Sequence, residues 1–126
     1  IRMIEIETLI EMISTHILPA TNSQLSVLGS VAQAQKDSTD RVFEDIKTSI
    51  ELLSNYAASL RSNKTKLQSI MATTVEEKDE ATLARLLADK GTPLMEQTAE
   101  IIYHIELECD DQFWALPKTR ELIYMI

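Results

Sequence analysis

Residues 41–71 read RVFEDIKTSIELLSNYAASLRSNKTKLQSIM, and this stretch decides the fold class. Phe43, Ile46, Ile50, Leu53, Ala57, Leu60, Leu67 and Met71 recur in alternating steps of three and four, with Lys64 filling the one gap. Residues three and four apart lie one above the other on a helix, so all of these share one stripe. Glu44, Asp45, Lys47, Ser49, Glu51, Arg61 and Lys66 fall between them and can face water. The pattern predicts an amphipathic helix of about nine turns.

The same period runs outward in both directions. Met3, Ile6, Ile10, Ile13, Ile17, Ala20, Gln24, Val27, Val31 and Ala34 keep it through the first segment, and Leu9, Met12, Leu18, Leu25 and Leu28 widen the stripe. Pro19 interrupts it, because proline lacks an N–H and its ring collides with the carbonyl of Thr15. The period survives across Pro19, so the expectation is a kinked helix rather than a break. A third segment opens at Thr74-Val75-Glu76-Glu77, a capping-box pattern, and carries Leu83, Leu86 and Leu87 to Lys90-Gly91. Gly91 suits a left-handed helix end, with Thr92 capping and Pro93 opening the next helix. Leu94, Thr98, Ile101, Ile102, Ile105 and Cys109 continue that face. Turns are expected at Lys36-Asp37-Ser38-Thr39, where Asp37 and Ser38 can cap the second helix, and near Ala72-Thr73. Counting outward from those turns sets Pro19 opposite Tyr56, and Tyr56 opposite residues 91–93, with Tyr56 filling a shared bend. The expected fold is all-α: one domain over residues 1–126, an antiparallel bundle of three long helices, kinked or broken, plus a short C-terminal helix.

Composition narrows the functions. The chain has 126 residues, 12 Lys+Arg against 20 Asp+Glu, and a net charge of −8, which argues against a nucleic-acid surface. The lone Cys109 gives no internal disulfide, and no apolar run reaches the roughly 20 residues that cross a bilayer. The start, Ile1-Arg2-Met3-Ile4-Glu5, has neither a signal-peptide layout nor an initiator Met, which leads to the expectation of a cytoplasmic, excised piece.

Few residues invite chemistry. His16, His104 and Cys109 lack the close pairing of zinc ligands, and His104 and Cys109 point roughly 140° apart on a helix. Solvent-edge histidines and a small buried thiol are expected instead. Glu106, Glu108, Asp110 and Asp111 read as a solvated acidic face at a helix end, where the helix dipole prefers cations. Glu100 and His104 can pair across one turn. Asn63-Lys64-Thr65 matches a glycosylation sequon but lies in mid-helix. Lys64 extends its stem along the apolar stripe, and the Met residues fill core space. No nucleophile with an adjacent base and no phosphate loop is present, so no catalytic, cofactor-binding or metal-binding residue is assigned.

Residues 110–126 differ from the rest: a helix stop, the aromatic pair Phe113 and Trp114, then Leu116-Pro117 and the apolar Leu122-Ile123-Tyr124-Met125-Ile126. Pro117 can begin a short last helix. So apolar a tail must fold back or dock elsewhere. The run Asp110-Asp111-x-x-Trp114-x-Leu116-Pro117-Lys118-x-x-Glu121-Leu122-Ile123-Tyr124 resembles the closing segment of type III glutamine synthetases. Glu7-Thr8-Leu9 through Ile17-Leu18-Pro19-Ala20 is similar to the helix that begins that family's C-terminal region. Ala115 and Thr119 depart from the family pattern, which has proline and an aromatic there.

The resemblance implies a parent enzyme that uses ATP and Mg²⁺ or Mn²⁺ to join ammonia to glutamate through a γ-glutamyl phosphate, assembled as stacked hexameric rings. The parent's nucleotide, metal and glutamate residues belong to a preceding catalytic domain, and none maps onto this chain. By the resemblance this piece is a non-catalytic structural and assembly domain. Phe113, Trp114, Leu116, Pro117, Leu122 and Tyr124 would dock it on the catalytic domain or a neighbouring subunit. From the residues alone, a stand-alone helical module that binds an amphipathic helix in a groove explains the broad apolar faces equally well. A metal-binding bundle is a third possibility.

Overall fold

The computed structural model describes the backbone of residues 2–114 and the side chains of residues 5–114. The described residues are all-helical, with no strand among them. The first arm comprises α1 (Arg2–Met12), a π-helical turn (Ile13–Ile17) and α2 (Leu18–Thr39). It is helical throughout, as expected of a chain that carries its period across Pro19. The Leu18 N–H donates to the Ile13 carbonyl, five residues back, instead of four. The extra residue in that turn relieves the clash that a proline ring makes with the preceding turn.

The second arm is α3 (Glu44–Glu76), 33 residues without interruption. The third comprises α4 (Glu80–Leu86), a π-helical turn (Leu87–Gly91) and α5 (Thr92–Glu108). Gly91 is not a left-handed helix end: its φ is −67°, within the helical range. Thr92 does not cap a new helix, since its N–H and its hydroxyl both donate to the Leu87 carbonyl, the hydroxyl at 3.3 Å. The chain accommodates Pro93 as it does Pro19, by widening one turn.

The turns lie later in the chain than their expected positions. α2 runs to Thr39 and ends on Asp40, in the left-handed region at φ 64°, with its N–H on the Lys36 carbonyl at 2.9 Å. Asp tolerates that conformation better than most residues. Neither Asp37 nor Ser38 caps α3; its first residue follows Phe43, whose N–H is taken by Gln35 Oε1 at 2.9 Å. Thr74 lies inside α3, its hydroxyl donating to the Met71 carbonyl at 2.8 Å, and opens no capping box. Asp79 is the working cap: its Oδ2 accepts the Thr82 N–H at 3.2 Å and the Thr82 hydroxyl at 2.6 Å.

α3 packs against both other arms. Ile6, Ile13, Ile17, Leu53, Leu60, Leu67 and Ile105 are fully buried, while Lys64, the polar member of the predicted α3 stripe, is half-buried. Polar members of the core turn their hydroxyls onto their own helices: Thr21 donates to the Ile17 carbonyl and Thr98 to the Leu94 carbonyl, each at 2.7 Å. Arg61 Nη2 donates to Asn22 Oδ1 at 3.2 Å, and Asn63 Nδ2 to Thr98 Oγ1 at 3.3 Å. These contacts correct the expected heights. Tyr56 stacks on His104, with ring centroids 5.5 Å apart and 4° between planes, and not beside Gly91. Counted along the helices from the Asn63–Thr98 and Arg61–Asn22 contacts, Gly91 falls level with Ile70, about four turns beyond Tyr56, and Pro19 is level with residues near Lys64. The two irregular turns therefore lie close in height, as inferred, but beside Leu67 to Thr74.

Candidate functional site

The C-terminal end of the described chain is a pinned corner. α5 stops at Cys109, whose extended backbone (φ −95°, ψ 139°) turns the chain away from the helix axis. Cys109 is buried, with Sγ 3.9 Å from the Ala20 carbonyl. The Asp110 N–H then donates to the side chain of Gln24 at 2.9 Å. One 3₁₀ turn (Asp111–Phe113) brings Trp114 against the apolar core. Phe113 and Trp114 are both half-buried. The Trp114 Nε1–H is itself buried and has no acceptor among the described residues. A buried indole N–H ordinarily has a partner.

Of the six docking residues expected from sequence, the structure places Phe113 and Trp114 together at this corner. Leu116, Pro117, Leu122 and Tyr124 lie outside the described residues, as does the expected short C-terminal helix.

The other singled-out residues do not converge. His16 is exposed, while His104 lies between Tyr56 and the edge of Tyr103, 5.7 Å away. It stacks on Tyr56 and does not pair with Glu100. Among the described residues no three His, Cys, Asp or Glu side chains gather as a metal site would need. The acidic run is not one solvated face, because Glu106 is buried while Glu108, Asp110 and Asp111 are exposed. The sequon residue Asn63 is buried on Thr98. No helix among the described residues is long and apolar enough to cross a membrane.

Sequence reasoning missed an open groove of about 650 Å³ between α3 and α5. Its floor is Ile70, Pro93 and Leu94, and its rim carries Lys66 and Lys90 with Ser69 and Gln97. Residues 66, 69 and 70 sit one turn apart beside the buried stripe, as do residues 90, 93, 94 and 97. That spacing was visible, but which two helices flank it depends on a register that the sequence does not state. No family model, curated protein or solved structure matches this chain.

Proposed function

We propose that this chain is the non-catalytic helical domain of a glutamine synthetase resembling the type III enzymes, and that it serves structure and assembly rather than chemistry. One observation carries the reading. The two stretches that bear the resemblance, Glu7 to Ala20 and Asp110 to Tyr124, are ninety residues apart in sequence, yet their near ends, Ala20 and Asp110, are brought together by Cys109 on Ala20 and Asp110 on Gln24. A signature split between two ends of a chain gains weight when those ends form one corner. The indole N–H supports the same reading, because it is buried with no acceptor among the described residues and a docked body would have to supply one.

In this reading the three arms form an antiparallel bundle of long helices, closed by a short helix that begins near Pro117. Phe113, Trp114, Leu116, Pro117, Leu122 and Tyr124 make the docking face, and the partners are the catalytic domain and neighbouring subunits. ATP and Mg²⁺ or Mn²⁺ belong to the parent's catalytic domain, and the site of action is the cytoplasm. The test is to express the whole reading frame that contains Ile1. The expected product is an oligomer that hydrolyses ATP only with glutamate and ammonia both present, and that loses assembly on Trp114→Ala. A reading frame with no ATP-dependent ligase domain beside Ile1 overturns the proposal.

The α3–α5 groove favours a second reading, a helical module that receives an amphipathic helix. Binding of partner helices by the separate chain, with no change on Trp114→Ala, would select it.

A further inference from the structure

We infer that the α3–α5 groove receives the outer face of α5 from a second copy of this chain, joining copies head to tail. The inference does not rest on the glutamine synthetase reading, since it uses neither Trp114 nor the residues after it. The groove continues past Lys66 and Gln97 into a second depression bounded by Ala58 and Ile101. From Ala58 to Ile70 it follows thirteen residues of α3, about 18 Å or three helical turns. Its chemistry is an apolar floor, Ile70 and Leu94, with the ammonium groups of Lys66 and Lys90 on the rim. Neither lysine has an ion-pair partner among the described residues.

A complementary strip lies on the same molecule. Glu96, Glu100, Tyr103 and Leu107 recur at steps of four, three and four along α5, so they share one face. All four are exposed, Tyr103 by 44% and Leu107 by 60%. Neither glutamate is ion-paired among the described residues. The strip spans twelve residues, about 16 Å, which suits the length of the groove. Two carboxylates beside two apolar side chains meet two ammonium groups beside an apolar floor. In a chain of net charge −8, a groove edged by two free cations is where a second acidic copy meets attraction instead of repulsion. The strip lies on the face of α5 next to the groove, their centres about 100° apart around the helix, so one copy can offer its strip while its groove receives another and the contact repeats as a ring or filament.

The test is sedimentation velocity of the chain over a wide concentration range. Association that rises with concentration is expected, and Lys66→Glu/Lys90→Glu should weaken it by at least about tenfold, the effect of losing one good charge pair. Lys36→Glu/Lys47→Glu changes net charge equally at exposed sites outside both surfaces and should weaken association much less than the groove variant. Glu96→Lys/Glu100→Lys brings the net charge nearer zero, which by itself favours association, yet it should weaken self-association as much as the groove variant. Mixing the groove and strip variants should restore association, because each reversed face then meets its opposite. A chain that stays monomeric throughout overturns the inference. So does association that survives both reversals, or that depends only on residues 115–126.

Discussion

Replacing Trp114 separates the ring from its N–H, and the two should behave differently. The indole is half-buried against the core, while its Nε1–H is buried without an acceptor among the described residues. Trp→Ala at a fully buried site costs about 3–5 kcal/mol; with part of the ring exposed, Trp114→Ala should cost about 2–4 kcal/mol. Trp114→Phe removes some apolar area, worth about 1 kcal/mol, but also removes a buried donor whose desolvation costs about 1–3 kcal/mol. The two nearly cancel, so Trp114→Phe should change the stability of the separate chain by no more than about 1 kcal/mol. In an assembled parent the sign differs: if the docked body supplies the missing acceptor, Trp114→Phe weakens assembly by about 1–3 kcal/mol, roughly fivefold to 150-fold. Urea unfolding followed by far-ultraviolet circular dichroism measures the first quantity, since the variants lack the chain's one Trp. Sedimentation of the intact enzyme measures the second. If Trp114→Phe costs the separate chain as much as Trp114→Ala, the indole N–H is already satisfied within it and the docking argument fails.

Gly91 is helical, and a Cβ there would meet Ile6 Cδ1 at 3.5 Å and Leu87 Cδ2 at 3.7 Å, ordinary contact distances, so Gly91→Ala should stabilise by about 0.4–1 kcal/mol in urea titrations. A loss of stability would show a strained backbone instead. Thr98→Val leaves the buried Asn63 amide without its partner and should cost about 1–3 kcal/mol, while the double variant Asn63→Leu/Thr98→Val should recover much of that in a double-mutant cycle. Ile105→Ala should cost about 2–5 kcal/mol by thermal or chemical unfolding, whereas Leu107→Ala, two residues on but 60% exposed, should fall within about 0.5 kcal/mol of the parent chain. The hydrogen bonds from Thr82 hold the Asp79 carboxyl below its usual value of 3.8. Its cap is therefore complete above that value and lost as pH falls through the lower folded one, so exchange of the Thr82 amide should quicken only in that acid range.

The stripe of α3 was legible because burial follows helical period. Leu53, Ala57, Leu60 and Leu67 are buried, as are Ile6, Ile13, Ile17, Ala20 and Gln24 on the first arm. A period reports a face but not how many neighbours cover it. Val27, Val31 and Phe43 continue the stripes toward the α2–α3 turn, where α5 no longer reaches, and each remains more than one-third exposed. Heights were misjudged for a geometric reason. When two helices fold back on each other, moving the turn by one residue moves the facing partner by two. The first turn lies at residues 40–43 instead of 36–39, enough to carry Pro19 from Tyr56 to the neighbourhood of Lys64. Glu106 was misread because charge was weighed before phase: it follows Ile102 by four residues and so lies on the buried face of α5. The aromatic corner was legible in composition alone, while its attachment to Ala20 and Gln24 is a contact across the whole chain that no local pattern encodes.

Pro19 and Pro93 show how the arms keep their faces through a residue that should break them. In each case the residue just before the proline donates its N–H to the carbonyl five residues behind it, Leu18 to Ile13 and Thr92 to Leu87. The same offset in two unrelated stretches points to one cause. A proline ring crowds the carbonyl four residues back, and one added residue in the preceding turn moves that carbonyl aside without ending the helix. α3 has no proline and runs unbroken between the two widened turns. Both candidate surfaces then start at these turns. Ala20 and Gln24, which hold the aromatic corner, lie in the first two turns after Pro19, and Lys90, Pro93 and Leu94, which line the groove, lie in or just after the second irregularity. A widened turn changes a helix's outline without changing its sequence period, which places the surfaces most suited to binding where periodicity is least informative.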